Sequence, residues 1–459
     1  MNWVVLLSRK QGIEYTKTAT GKYKPWRNII MIVMKFGGTS IANAKKIMNL
    51  YDIVAKQLVQ KPIVVVSAMA GVTNLLIDLP KSRNPEIIFE KHREVIAQLG
   101  MDEDLPDDEF RSLMHVLDNM DGSARSMDHL ISFGEILSSR IIAAYINKRG
   151  NSARAYTGWE SGIITDSNFG NAEVTEKIEE NIRKHLGNPD HIPVITGFIG
   201  KNEDGEITTL GRGGSDYTAT LIGAALNVSE IQIWTDVDGV LTTDPSMVSK
   251  ARHIPVISFT EAAELSYFGA RVLHPKTLQP AIKKGIPVRI LNTDRPGHEG
   301  TLITQEATDN KFTAISFKEN VTVVRIYSTR MLMAYGFLAK VFEIFGKYRI
   351  SIDMISTSEV SISMTLDNTE NLDKAVEDLK QYGKIEIITQ KALICVVGAS
   401  IIEKTNVAGK IFSILGNNNI NIEMISQGAS HVSLNFLVNE DVLETAVKVL
   451  HRELFEKEQ

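Results

Sequence analysis

Lys35-Phe36-Gly37-Gly38-Thr39-Ser40 places a cation and two glycines where a short apolar run ends. Glycines let backbone N–H groups approach an anion, a following helix adds its dipole, and Lys35 adds a full positive charge. This is a layout for handling phosphate, although an ordinary tight turn fits it equally well in isolation. No G-x-x-x-x-G-K-[ST] occurs, so it is not a P-loop, and the protein-kinase glycine loop and H-R-D are absent too. Gly211-Arg212-Gly213-Gly214-Ser215-Asp216 is a second glycine-rich turn entering a helix. Arg212 offers a planar fork for a carboxylate or phosphate, and Asp216 suits either a helix cap or a site. In Trp234-Thr235-Asp236-Val237-Asp238-Gly239 the acids lie at a strand's C-terminal end, where open α/β sheets place ligands. They could form a turn, touch a ribose or approach Mg²⁺. Glu135, in Phe133-Gly134-Glu135 between Ser132 and Ser138, sits on a helix, where a lone Glu is ordinarily a solvated charge. The ten histidines show no metal-ligand spacing, so no protein-built metal site is expected.

These residues need a scaffold, and the pattern around them is strand, glycine turn, helix. Ile32–Phe36, Ile63–Val66, Val194–Ile199, Ile231–Thr235 and Pro287–Leu291 are short apolar strands. Helical stretches separate most of them: Ala42–Leu50, Ile131–Ile146, Ala172–His185 and Tyr217–Leu226. This alternation predicts a mostly parallel sheet with helices on both faces. Asn202-Glu203-Asp204-Gly205 predicts a hairpin.

The last part of the chain repeats itself. At an offset of 70, Lys340–Ser356 aligns with Lys410–Ser426 without a gap, nine of seventeen positions being identical. Each copy predicts a helix ended by glycine (Gly346, Gly416) and then an alternating strand such as Ile350–Met354. With the flanking strands Thr322–Tyr327 and Ala392–Val397, and the helices Asn371–Gln381 and Asp441–Glu453, this predicts two βαββαβ modules, one after the other. The domain boundaries expected are 1–30, 31–303 and 304–459, with repeats over about 320–388 and 390–459.

Composition narrows the class. Hydrophobic residues at 43% of 459 can fill large cores, and a net charge of −5 offers nucleic acid no basic surface. No run of about 18 apolar residues exists, so no membrane span is expected. The one cysteine, Cys395, lies in an apolar run and reads as a buried inert thiol. These features lead to an expectation of a soluble, cytoplasmic protein. The first thirty residues differ from the rest, with six Lys/Arg against Glu14 alone, and are expected to be a disordered basic extension.

Order and spacing together carry more than any single motif. Met34–Ser40, Val66–Asn74, Ser132–Glu135, Gly211–Thr218, Trp234–Pro245 and Phe268–Pro275 closely resemble the aspartokinases. These belong to the amino-acid-kinase family, which phosphorylates carboxylates with ATP and lacks a P-loop. The resemblance runs from Ile32 to Phe455 and implies a three-layer α/β kinase domain followed by two ACT regulatory modules. It implies transfer of phosphate from ATP, with Mg²⁺ brought by the nucleotide, to the side chain of L-aspartate. By the same resemblance Lys35 stabilises the transferring phosphoryl and Asp216 organises the centre. Ser67, Thr73, Glu135, Arg212, Gly213, Gly214 and Ser215 hold aspartate, and Gly37, Gly38, Thr235, Asp236, Leu241 and Arg271 face the nucleotide. Arg271 stands where related enzymes often carry lysine, Leu241 where some have tyrosine, and Ser246 where they have arginine.

Ser356–Ser361 looks most like the lysine-sensitive type. The resemblance then implies an effector site near Met331, Ala334, Phe337, Leu338, Ile352, Asp353, Ser358 and Glu359, with acids suited to lysine's ammonium groups. Phe337, Leu338 and Ile352 would be apolar in a plain core as well. A homodimer through the ACT modules is the assembly implied, with dimer against tetramer left open. Three other readings compete. A same-fold kinase for another acceptor generally lacks the repeat, a catalytically dead amino-acid sensor would not need Lys35, Arg212 and Asp216, and a nucleic-acid regulator finds no helix-turn-helix.

Overall fold

The computed structural model describes residues 15–17, 23–25, 31–269, 273, 275–306, 312–332, 335–399, 401–427 and 430–457. They divide into two compact units between Trp234 and Thr235. In the N-terminal extension β1 (Tyr15–Lys17) pairs antiparallel with β2 (Tyr23–Pro25). The rest of that extension, for which disorder is expected, lies outside the described residues.

The first unit follows the alternation in the sequence. β3 (Ile32–Phe36), α1 (Ala44–Ala55) and β4 (Pro62–Val66) open it. Four helices follow: α2 (Val72–Ser82), α3 (Glu86–Gln98), α4 (Asp107–Asp118) and the long α5 (Ala124–Lys148). Then come β5 (Ala153–Tyr156), β6 (Ile164–Thr165), α6 (Ile178–Leu186), β7 (Ile192–Thr196), β8 (Ile199–Asn202) and β9 (Ile207–Thr209). Helix α7 (Gly214–Leu226) and β10 (Glu230–Thr235) close the series. β10, β3, β4, β7 and β5 lie side by side, all parallel. Every side chain of β3 and β4 is buried, as a parallel sheet covered by helices requires. Helix α5 packs on β4, β5 and β7, and α7 on β3 and β4.

Two predicted elements are shorter than expected. The strand expected over Val194–Ile199 stops at Thr196, because Phe198 turns to a φ of 68° and gives its N–H to Thr218 Oγ1 (3.1 Å). The chain then re-emerges as β8 and turns back into β9 through the expected hairpin. Helix α6 starts at Ile178 and not at Ala172, since Ala172 N–H donates to Thr209 O (2.8 Å) and Val174 bridges Thr165.

In the second unit β11 (Val256–Ser258), α8 (Phe259–Tyr267), α9 (Pro275–Lys284), β12 (Val288–Asn292) and β13 (Thr301–Thr304) come first. A reciprocal cap between Ser258 and Glu261 fixes the start of α8. The repeat follows as β14 (Ala314–Tyr327), α10 (Phe337–Lys347), β15 (Met354–Thr357), β16 (Ser361–Leu366) and α11 (Leu372–Leu379). It continues as β17 (Lys384–Val397), α12 (Val407–Asn417), β18 (Met424–Gln427), β19 (Ser433–Asn439) and α13 (Leu443–His451). Six strands form one antiparallel sheet in the order β15-β16-β14-β17-β19-β18. The strand expected from Ile350 begins only at Met354, where pairing with Thr365 starts.

The two modules are interleaved, which differs from the consecutive order expected. The second copy ends on helix α13 without a closing strand, so its sheet takes that strand from upstream of the first copy. Ala314–Lys318 pairs with Leu393–Val397, and Ile315 packs in the core of Ile394, Ile411, Leu434 and Phe436. The later half of β14, with Val324 and Ile326, belongs instead to the core of Val341, Phe345 and Ile362. Cys395 is buried in β17, and burial raises its thiol pKa.

Candidate active site

Nine of the residues singled out in the sequence line one cavity of about 660 Å³ in the first unit: Lys35, Ser67, Thr73, Glu135, Arg212, Gly213, Gly214, Ser215 and Asp216. Parallel strands bring them together, because β3 and β4 both end at the cavity rim with their glycine-containing turns. Gly37 N–H, expected to face an anion, instead donates to Trp234 O (3.1 Å) on β10, and Ala70 N–H donates to Gly38 O (3.2 Å), tying the two turns together. A Cβ on Gly38 would stand 2.7 Å from Ala68 O, so only glycine permits this approach.

Lys35 projects from β3 and forms an ion pair with Asp216 in the first turn of α7, Nζ to Oδ1 2.6 Å. Both side chains are nearly buried, at 11% and 15% exposure, so little water screens the pair. Asp216 thus faces the cavity cation, while Gly213 in the left-handed region (φ 72°) precedes the helix. Ser67 donates from its hydroxyl to Ser215 Oγ (3.0 Å), tying the end of β4 to the same helix start.

Glu135 is no solvated surface charge. It is 3% exposed, and its Oε1 accepts the Ala68 N–H at 3.0 Å. Gly134 makes this possible: a Cβ there would lie 2.7 Å from Ala68 Cβ, so α5 approaches the β4 turn only at that position. The second carboxylate oxygen, Oε2, is buried with no hydrogen-bond partner. Burial pushes the Glu135 pKa up to about 8. Ser132 and Ser138 beside it donate to helix carbonyls, at His129 and Gly134, and serve only the helix.

Of the lining residues not singled out in the sequence, one is ionisable. Asp128 is 1% exposed and stands seven positions before Glu135, on the same face of α5. Its Oδ2 accepts the N–H groups of Gly170 (2.8 Å) and Thr209 (2.9 Å), and its Oδ1 accepts the Thr209 hydroxyl (2.9 Å). Burial raises its pKa, and the three hydrogen bonds oppose that rise. The spacing of seven from a candidate acid was the available signal.

Thr235, Asp236 and Leu241 belong to the second unit. There Thr235 Oγ1 donates to Asp236 Oδ1 (3.1 Å), and Thr293 N–H donates to Thr235 O (2.8 Å). Asp238 accepts from Asn292 Nδ2 (2.7 Å) and pairs with Arg295, so it serves the turn. Leu241 bridges His253, and Ser246 donates its N–H to Asp244 Oδ1 (2.8 Å) in a turn. Arg271 and Ala334 lie outside the described residues. Among the described residues no group of three or more His, Cys, Asp and Glu could hold a metal ion. No helix there is long and apolar enough to cross a membrane.

The candidate effector residues fall into two sets. Phe337 is buried in the core of the first module, and Met331 and Ile352 pack against that core. Leu338, Ser358 and Glu359 are exposed, with Ser358 and Ser361 sharing a hydroxyl hydrogen bond (2.8 Å). Asp353 is already engaged, accepting from Tyr267 Oη at 2.8 Å and lying 3.4 Å from Lys318 Nζ. Lys318 also pairs with Asp367 and lies over the Tyr267 ring. Burial raises the Asp353 pKa.

Residues 31–292 match the model of the Amino acid kinase family, and residues 324–382 and 394–454 match that of the ACT domain. Aspartokinase 3, chloroplastic, of Arabidopsis thaliana is 40% identical over 98% of this chain and 86% of its own. Lysine-sensitive aspartokinase 3 of Escherichia coli is 36% identical over 93% of this chain and 99% of its own. The crystal structure of E. coli aspartokinase III with aspartate and ADP (R-state) superposes with a TM-score of 0.81 at 33% identity, covering 93% of this chain and all of that one. The same enzyme with lysine and aspartate (T-state) gives 0.76 at 34% identity, covering 93% and 99%.

Proposed function

The chain belongs to the aspartokinases of the amino acid kinase family, and from that premise we propose how its own residues phosphorylate aspartate and how lysine restrains it. The reaction is transfer of a phosphoryl group from ATP to the side-chain carboxylate of L-aspartate, giving 4-phospho-L-aspartate. A carboxylate with a pKa near ~3.9 is already the nucleophilic anion at neutral pH, so no general base is required. The remaining work is to hold two anions together and to stabilise charge spreading over the phosphoryl oxygens.

The observation that carries this reading is the Lys35–Asp216 pair facing the same cavity as the unpartnered Oε2 of Glu135. Lys35 meets the transferring phosphoryl, and Asp216 holds its ammonium in place. Glu135 receives the α-ammonium of aspartate, and Arg212 its α-carboxylate. Ser67, Thr73 and Ser215, with the N–H groups of Gly213 and Gly214, complete the cradle. Thr235, Asp236 and Leu241 contact nucleotide, and Mg²⁺ arrives on ATP, held by phosphate oxygens and water.

In the first ACT module we place a lysine site around Leu338, Ser358, Glu359 and Asp353, which makes the chain a feedback-regulated first step toward lysine, threonine and methionine. Homodimers form through the ACT modules, supported by the exposed Leu338, Phe342, Ile355 and Ile425. Residence in the cytoplasm is proposed from composition alone, since relatives such as the Arabidopsis protein are named chloroplastic.

The test is ADP release from the purified protein with Mg-ATP, comparing L-aspartate with L-glutamate, each with and without millimolar L-lysine. Aspartate-dependent turnover suppressed by lysine is expected. Turnover that ignores lysine would remove the effector half, and no turnover with any acceptor would return the chain to the sensor reading.

A further inference from the structure

Asp128 collects three hydrogen bonds from two segments that are far apart in the chain. Gly170 lies in the loop between β6 and α6, and Thr209 ends β9. Immediately beyond each contact the two segments touch again. Ala172 N–H donates to Thr209 O (2.8 Å), and a Cβ on Gly211 would meet Asn171 Oδ1 at 2.5 Å. The carboxylate therefore clamps residues 170–172 against residues 209–211, one residue before Arg212. Arg212 is itself exposed, and among the described residues no hydrogen bond or ion pair fixes its guanidinium. Its position over the cavity is thus set by the backbone that Asp128 holds.

We propose that Asp128 is a positioning residue for the acceptor substrate: by clamping Gly170 and Thr209 it sets where Arg212 meets the α-carboxylate of aspartate. The inference rests on the reading of Arg212 given above. Asp128 touches neither reacting atom, and three of its carboxylate's roughly four acceptor sites are taken by the clamp. Sharing α5 with Glu135, it lets one rigid helix place both ends of the amino-acid head group: Glu135 directly, and Arg212 through the clamp.

The experiment compares Asp128→Ala with wild type, measuring KM for L-aspartate and for ATP, and the inhibition constant of β-alanine, which is aspartate without its α-carboxylate. The variant should raise the aspartate KM about tenfold or more, the effect of one charged hydrogen bond. The KM for ATP and the β-alanine constant should stay within about twofold, since neither ligand uses the Arg212 contact. Should Asp128→Ala fail to fold, Thr209→Val removes a single hydrogen bond of the clamp and should raise the aspartate KM by about two- to fivefold. An unchanged aspartate KM in a folded variant overturns the proposal. So does a parallel rise in the β-alanine constant, which would mark a general loss of site structure. Absence of aspartate turnover in the wild type would instead defeat the underlying reading.

Discussion

The hydroxyl of Tyr267, the last residue of α8, donates to Asp353 Oδ1 at 2.8 Å in the first ACT module. Asp353 is also the residue whose charge suits the ammonium of an effector, so the two partners compete for one carboxylate. Removing the phenol should free Oδ1, while Lys318 stays 3.4 Å from Oδ2. Tyr267→Phe is expected to lower the lysine concentration for half-inhibition by about tenfold or more, the range of one hydrogen bond to a charged group. Turnover without lysine should stay within about twofold. A dose–response curve in both proteins decides it, and an unchanged or raised midpoint separates Tyr267 from regulation.

Glu135 gives the site a pH signature. Its pKa is pushed up to about 8 in the folded protein from an ordinary 4.5, chiefly by burial. The folded state therefore holds a proton that the unfolded chain releases, and stability is full below about 4.5 and falls as pH rises through about 8. Melting temperature should decline over that window in the wild type and stay flatter in Glu135→Gln. The same variant should raise the aspartate KM by about 10–100-fold through loss of the charged contact to the α-ammonium. Aspartate binding should release a proton, readable by calorimetry in buffers of different ionisation enthalpy.

Lys35 is asked to stabilise transition-state charge. Lys35→Ala should cut kcat by about 10²–10³-fold or more, as for the loss of one preorganised electrostatic contact. Its fold should persist, because β3 is held by neighbours on both sides. Near-normal turnover in this variant would falsify the role given to Lys35.

Two adjacent glycines predict opposite outcomes. Gly38→Ala drives a methyl to 2.7 Å from the Ala68 carbonyl, a backbone atom that cannot swing away, and should cost about 1–3 kcal/mol. Gly37→Ala meets nothing closer than 3.7 Å, and the backbone there is extended (φ −70°, ψ 166°). Thermal unfolding of the two variants should therefore diverge, with Gly38→Ala the one that loses stability.

What the sequence made legible was whatever depends on local pattern. The strand Ile32–Phe36 and the helix after Gly213 follow from apolar runs and glycine punctuation. The repeat announced two like modules. What stayed hidden depends on contacts across long separations. Phe198 turns because Thr218 offers its hydroxyl, which no window around residue 198 contains. Asp128 looks like any helical acid until Gly170 and Thr209 arrive beside it. The interleaving of the modules lies in the pairing of Ala314 with Val397, which the repeat alignment itself obscures.

That pairing also orders events at the ribosome. Ala314–Lys318 is synthesised before any of the first module, yet its partner Leu393–Val397 follows the whole of it. The first module can close around Val324 and Phe345 while the upstream segment still waits with open hydrogen-bonding edges. A fragment beginning after Leu379 would carry a sheet permanently short of one strand.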